Sequence, residues 1–255
     1  MNIDQVAIQF WTVRAFCKTT ADYAATLKKV REIGYRGIEL AGFPGPVEEL
    51  IRMVNGEGLT ICSSHESPAT ILDDTNQIVD RIASLGCQYV TCPHAIGDFS
   101  KSADIEMLIA KLEAAGAILH KAGRTLTYHN HANEFVHFNG KPLLETIYGQ
   151  TRPENLQAEL DTYWVQAGGA DPVQCIEKLG NRLPLIHLKD YAVDATGRPY
   201  YAEIGSGNLD FKAIIAAAEA AGTQWFIVEQ DTCPGDPFDC IKTSFEYIQA
   251  NLVDQ

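Results

Sequence analysis

The sequence predicts an α/β fold, a single (β/α)8 barrel spanning residues 1–255, and three observations carry that expectation. Helical stretches alternate along the whole chain with short apolar, β-branched segments, which is the signature of a parallel sheet with helical crossovers. A glycine closes helix after helix, at Gly34, Gly58, Gly86, Gly123, Gly180 and Gly222, and a new apolar segment starts within a few residues of each. The first apolar segment runs into Gln9-Phe10-Trp11-Thr12-Val13-Arg14 rather than a glycine-rich phosphate loop, which disfavours a doubly wound nucleotide-binding sheet.

The strands are expected to begin near Val6, Gly37, Thr60, Tyr89, Thr125, Leu156, Pro184 and Trp225. Between them lie helical patterns. Ala21 to Ile33 repeats Tyr23, Ala24, Leu27 and Val30 on one face, and Ile105 to Lys121 repeats Leu108, Leu112 and Ala115. No linker or low-complexity stretch divides the chain, and its 255 residues suit one barrel with a core of its own.

Composition narrows the function classes. The residues are 46% hydrophobic and 21% charged, and no apolar run is long enough for a membrane helix. The opening residues carry no basic leader followed by an apolar stretch, so a cytoplasmic enzyme is expected, acting without a membrane partner. Seven scattered cysteines without a C-x-x-C pair read as reduced thiols. A net charge of −13 with no basic patch argues against a nucleic-acid partner, whereas a homo-oligomer is compatible with the composition.

In a barrel of this kind the active site is built at the C-terminal ends of the strands. The polar residues predicted there are Gln9 and Trp11, Glu39, His65 and Glu66, His94, His129 to Glu134, Asp161, His187 with Lys189 and Asp190, and Glu229 with Asp231. Of seven histidines, His65, His94, His129, His131, His137 and His187 fall at or just beyond strand ends, and His120 alone lies in a helix. Packing would not concentrate them on one rim. Asp161, His187 and Glu229, from the last three strands, form a mixed carboxylate and imidazole set suited to a divalent ion: Mn²⁺ foremost, with Mg²⁺, Co²⁺ or Zn²⁺ as alternatives.

These residues sit in a run of motifs: Tyr128-His129-Asn130-His131-Ala132-Asn133-Glu134-Phe135, Leu160-Asp161-Thr162-Tyr163-Trp164, His187-Leu188-Lys189-Asp190, Gly205-Ser206-Gly207-Asn208-Leu209-Asp210 and Val228-Glu229. In that order, and with the opening Ile8 to Arg14, the chain resembles the xylose isomerase-like barrel superfamily and, within it, the sugar phosphate isomerases/epimerases. The resemblance implies one metal held by a Glu, an Asp, a His and a Glu from strands five to eight. The last three fall on Asp161, His187 and Glu229. His129 stands where many relatives carry the first Glu, so the strand-five ligand is either Glu134, the favoured choice, or His129 itself.

His131 shares the strand face of His129 and is the candidate general base, with a brace for Glu134 as its other reading. Glu229 is a second candidate for moving the proton. Lys189 is expected either to bind a substrate hydroxyl or enolate oxygen or to pair with Asp161 or Glu39. His129, His65, His94, Trp11 and Glu39 are assigned to substrate binding around the rim. The expected activity is metal-dependent isomerisation or epimerisation of a keto-sugar or related polyol through an enediolate, with dehydration or cleavage of a 3-keto-glycoside as the alternative on the same site. A non-catalytic sugar-binding barrel and a DNA-repair endonuclease of the same superfamily are weaker readings; the endonuclease would need more metal ligands and a basic face. The Gly205-Ser206-Gly207 loop lies where barrels often hold a phosphate, but no dedicated cradle is evident and the acidic chain favours a neutral sugar.

Overall fold

The computed structural model describes residues 1–253. Eight parallel strands close into a barrel: Val6–Gln9, Gly37–Leu40, Thr60–His65, Tyr89–Cys92, Thr125–His129, Gln157–Asp161, Leu185–Leu188 and Trp225–Val228. The first strand pairs with both the second and the eighth, so no edge remains open. The expected strand starts agree with this sequence of elements to within a residue. The helices Thr20–Ile33 and Ser102–Lys121 enclose the two helical patterns read above, and all six closing glycines have positive φ. The seven cysteines are unbridged.

The barrel interior changes character from bottom to top. Ala7, Cys62, Leu185 and Ile227 fill its lower end as a small apolar cluster. One step up each strand the inward residues turn polar: Gln9 and Glu39 are register partners, His129 lies opposite Glu159, and Asp161 lies opposite His187, all of them buried. A two-residue period along neighbouring parallel strands produces this layering, because residues two apart point the same way.

Two short antiparallel hairpins, His137–Phe138 with Lys141–Pro142 and Asp190–Val193 with Pro199–Ala202, interrupt the strand–helix alternation and were not expected from the sequence. The second follows strand seven directly and walls the barrel mouth. Its Tyr201 packs against Tyr163, with ring centroids 4.3 Å apart, and against the edge of Trp164. Among the described residues no helix is long and apolar enough to cross a membrane.

Candidate functional site

A cavity of about 440 Å³ opens at the C-terminal end of the barrel, lined by Trp11, His65, His94, His129, His131, Glu229 and Asp231 among others. Beneath it the chain gathers its buried ionisable groups. Donor atoms of His129, Asp161, His187 and Glu229 all lie within 4.8 Å of one another, and all four residues are buried.

Local folding explains why these atoms converge. Asp161 ends strand six and starts the helix Thr162–Ala167; its Oδ1 caps that helix by accepting from Trp164 N at 2.9 Å. Its own N–H donates to Asn130 Oδ1 at 3.0 Å, tying strand six to the loop after strand five. The other oxygen, Oδ2, is buried and has no hydrogen-bond partner among the described residues. A buried carboxylate oxygen left in this state is costly unless a cation completes it. Burial raises the Asp161 pKa to about 7, against the pull of the nearby Lys189.

The two histidines of the cluster are each held from behind by a carboxylate. His129 Nδ1 lies 3.1 Å from Glu159 Oε1, leaving Nε2 on the side of Asp161, 3.9 Å from its Oδ2. His187 Nε2 lies 2.7 Å from Glu39 Oε2, while Nδ1 is 3.0 Å from Glu229 Oε2. Carboxylates that fix the far nitrogen of an imidazole are the usual support of a metal-ligating histidine. Burial would lower the His187 pKa, but Glu159, Glu39 and Glu229 together push it well above the ordinary range. His129, where burial prevails, stays neutral. The donor chemistry, with an Asp161 oxygen that accepts no hydrogen bond among the described residues, therefore fits a divalent ion, which this cluster could hold.

Lys189 is buried between three carboxylates, with Nζ 2.7 Å from Asp231 Oδ2, 3.0 Å from Glu229 Oε2 and 3.4 Å from Asp161 Oδ2. It is thus the partner of Asp161, as one reading of the sequence had it, and is not paired with Glu39. Its ammonium also lies over the rings of Trp164 and Tyr201, at 5.3 and 5.2 Å. Burial alone would favour the neutral amine, but the carboxylates outweigh it and hold Lys189 charged. The same attraction, with that of His187, keeps Glu229 ionised against its burial.

His131 stands at the mouth, its ring 5.1 Å from those of His129 and Trp164. Burial, with Lys189 nearby, lowers its pKa to about 4, so the ring is neutral at neutral pH and free to accept a proton. Trp11 is an exposed wall of the cavity, held by the Arg14 guanidinium 4.4 Å above its ring.

Two assigned residues lie elsewhere than expected. Glu134, the favoured strand-five ligand, is buried in the turn Ala132–Phe135, where Oε1 accepts from Tyr128 Oη at 2.7 Å and Oε2 from His131 N at 2.8 Å. Both oxygens brace the loop, and the strand-five group brought into the cluster is His129. Glu39, assigned to the rim, is wholly buried beneath the cavity and accepts from Gln9 Nε2 at 2.6 Å. Glu159 was not singled out in the sequence, although its position two residues before Asp161 on one strand places both on the inner face.

The Gly205-Ser206-Gly207 loop encloses an internal anion. Asp190 Oδ2 accepts from Gly205 N at 2.9 Å and Gly207 N at 2.8 Å, and Oδ1 accepts from Tyr191 N at 2.8 Å. The amides that a phosphate would need are already occupied.

The chain matches the model of the xylose isomerase-like TIM barrel family over residues 27–250. It belongs to that family. Inosose dehydratases are among its relatives: that of Geobacillus thermodenitrificans is 25% identical over 161 residues, and that of Geobacillus kaustophilus 29% identical over 160 residues. Each match covers 56% of this chain and only 53% and 51% of the respective relative, so the aligned region is about half the length of those proteins. In three dimensions the chain resembles a sugar phosphate isomerase/epimerase of Parabacteroides distasonis, with a TM-score of 0.84, 23% identity, and coverage of 99% of this chain and 96% of that one. The relatives are thus barrel enzymes named for isomerase, epimerase or dehydratase activities on sugar-like molecules.

Proposed function

We propose that this chain is a divalent-metal-dependent enzyme that removes the proton next to the carbonyl of a keto-sugar or keto-polyol, His129, Asp161, His187 and Glu229 holding the ion, and returns it as an isomerase or epimerase. The observation that carries this reading is the convergence of four buried donor residues directly below a cavity of sugar size. Two are imidazoles supported by carboxylates, and one is the Asp161 carboxylate, whose Oδ2 accepts no hydrogen bond among the described residues and has the Lys189 ammonium 3.4 Å away. Bound there, a divalent ion would act as a Lewis acid for the oxygen on which charge develops as the carbon acid ionises.

The chain's own groups supply the rest. His131, neutral and at the cavity wall, accepts the proton from the carbon next to the carbonyl. Lys189 keeps Glu229 ionised, pairs with Asp231 and places a positive charge near the enolate oxygen. Trp11 offers an apolar face to the C–H groups of the substrate, and His65 and His94 line the cavity around it. The Asp190 carboxylate filling the glycine loop leaves that loop no phosphate site, which supports an unphosphorylated substrate.

Dehydration is the second reading, favoured by the inosose dehydratases among the relatives. It shares the first step and differs in the fate of the carbanion, which expels a neighbouring hydroxyl instead of regaining a proton. Incubation of a ketose and of a keto-inositol with the Mn²⁺-loaded protein in D₂O tests the shared step. Deuterium should enter the position next to the carbonyl and chelator should abolish the exchange; turnover without any deuterium incorporation would contradict proton abstraction. Release of water with formation of an unsaturated or diketo product would select the dehydratase reading.

A further inference from the structure

A second cluster lies one layer deeper in the barrel, formed by His65 of strand three, His129 of strand five, Glu159 of strand six and His187 of strand seven. Three imidazole nitrogens converge on a single carboxylate oxygen: Glu159 Oε1 lies 2.7 Å from His65 Nε2, 3.1 Å from His129 Nδ1 and 3.1 Å from His187 Nε2. Thr91 Oγ1 already donates to the other oxygen, Oε2, at 2.9 Å. A carboxylate oxygen offers two lone pairs, so it cannot accept from three N–H groups with good geometry. Two of the nitrogens are contested as well. Glu39 Oε2 lies 2.7 Å from His187 Nε2 and 3.3 Å from His65 Nε2, giving each nitrogen two carboxylate oxygens and one hydrogen at most.

We infer that this deep cluster is a metal site in its own right, distinct from the one at the mouth, which takes a Zn²⁺-class ion through three imidazoles and the Glu159 carboxylate. A four-coordinate ion with ligands at about 2.0–2.1 Å spaces its donors about 3.3–3.4 Å apart, so outward shifts of a few tenths of an ångström convert the observed contacts into ligation. Three nitrogens to one oxygen favour borderline ions such as Zn²⁺ or Co²⁺, whereas the mouth, with two carboxylates and two imidazoles, suits the harder Mn²⁺. Glu39, held by Gln9, faces the same Nε2 atoms of His65 and His187 and so sets a second anionic oxygen beside the ion.

The two sites share His129 and His187 but use opposite nitrogens of each ring. The deep site takes Nδ1 of His129 and Nε2 of His187, and the mouth takes Nε2 and Nδ1. A neutral imidazole ligates through one nitrogen, so an ion in one site excludes an ion from the other. Zn²⁺ in the deep site would therefore displace the ion from the mouth. The inference stands on the deep geometry alone and does not rest on the proposed reaction.

Zn²⁺ binding to the dialysed protein, followed by competition with a chromophoric chelator and by X-ray absorption at the zinc edge, is the test. The deep site predicts one Zn²⁺ per chain with three imidazole ligands; two imidazoles would place the ion at the mouth and overturn the inference. His65 touches the deep carboxylates and none at the mouth, so His65→Gln should weaken Zn²⁺ binding by more than about 100-fold, whereas Asp161→Asn should leave it within about threefold. Loss of Zn²⁺ affinity in Asp161→Asn, or its retention in His65→Gln, contradicts the assignment. The imidazole count in the unaltered protein decides the matter even where a variant fails to fold.

Discussion

At the scale of single residues, the division of labour between the two polar groups of the strand-five loop is the sharpest outcome. Glu134 and His131 are three positions apart, and the sequence made Glu134 the favoured metal ligand and His131 the general base or a brace for Glu134. Backbone geometry separates them: the tight turn Ala132–Phe135 folds the Glu134 carboxylate back onto Tyr128 and the His131 amide, so it faces the loop rather than the cluster of His129, Asp161, His187 and Glu229. Glu134→Ala should therefore unfold the protein more readily, by about 1–3 kcal/mol for each buried donor left unpaired. Glu134→Gln should bind Mn²⁺ as the unaltered protein does, as isothermal titration would show; loss of binding in the glutamine variant would restore Glu134 as a ligand. His131→Ala should keep the metal and lose about 10²- to 10⁴-fold in turnover, the range of a missing general base. A variant that lost metal instead would assign His131 to ligation.

At the scale of elements, the strands were legible and the additions to them were not. Apolar, β-branched runs mark where a buried parallel strand begins, six of the eight announced by a closing glycine and those near Val6 and Leu156 by the run alone. The hairpin Asp190–Val193 with Pro199–Ala202 carries no such signal. Its strands alternate little, and its place is set by Tyr201 packing on Tyr163 and Trp164, a contact between distant segments. Glu159 escaped notice for a related reason. Its two-residue spacing from Asp161 marks it as inward-facing, but the rings of His65, His129 and His187 that it meets come from three other strands and are known only once the barrel closes. Close approach of elements gives a prediction of its own at Gly116, in the helix Ser102–Lys121. Alanine in a helix usually stabilises by up to about 1 kcal/mol over glycine. Here an added Cβ would lie 1.9 Å from the backbone oxygen of Asn155, just before strand six, and backbone cannot step aside. Gly116→Ala should therefore lower the thermal midpoint, and a raised midpoint would show that the helix and this loop are less tightly joined than described.

At the scale of the whole molecule, the buried charges couple stability to pH and to metal. Desolvation would lower the pKa of the largely buried His65, but Glu39 and Glu159 raise it to about 10, above the value of 6.5 expected when unfolded. The stability it contributes is complete below pH 6.5 and is lost as pH climbs through 10. Asp161, raised from 3.8 to about 7, likewise contributes most at low pH and loses its share by about pH 7. His131 has the opposite sign: with its pKa lowered to about 4, its share is present above 6.5 and lost as pH falls towards 4. Above pH 6.5 the declining share of His65 prevails, so the metal-free protein should lose thermal stability steadily between pH 7 and 10. A divalent ion favours the ionised Asp161 and a neutral His187, so its stabilising effect should grow with pH, and its binding at neutral pH should release protons. Calorimetry in two buffers of different ionisation enthalpy would reveal the release; identical heats would contradict it.

The claim on which the rest depends is the position of the catalytic ion, and anomalous X-ray diffraction from crystals of the Mn²⁺-loaded protein tests it most directly. The account predicts one peak within about 2.0–2.3 Å of His129 Nε2, Asp161 Oδ2, His187 Nδ1 and a Glu229 oxygen, with Lys189 drawn towards Asp231. A Mn²⁺ peak against the Glu134 carboxylate, or beneath His129 against Glu159, would contradict it.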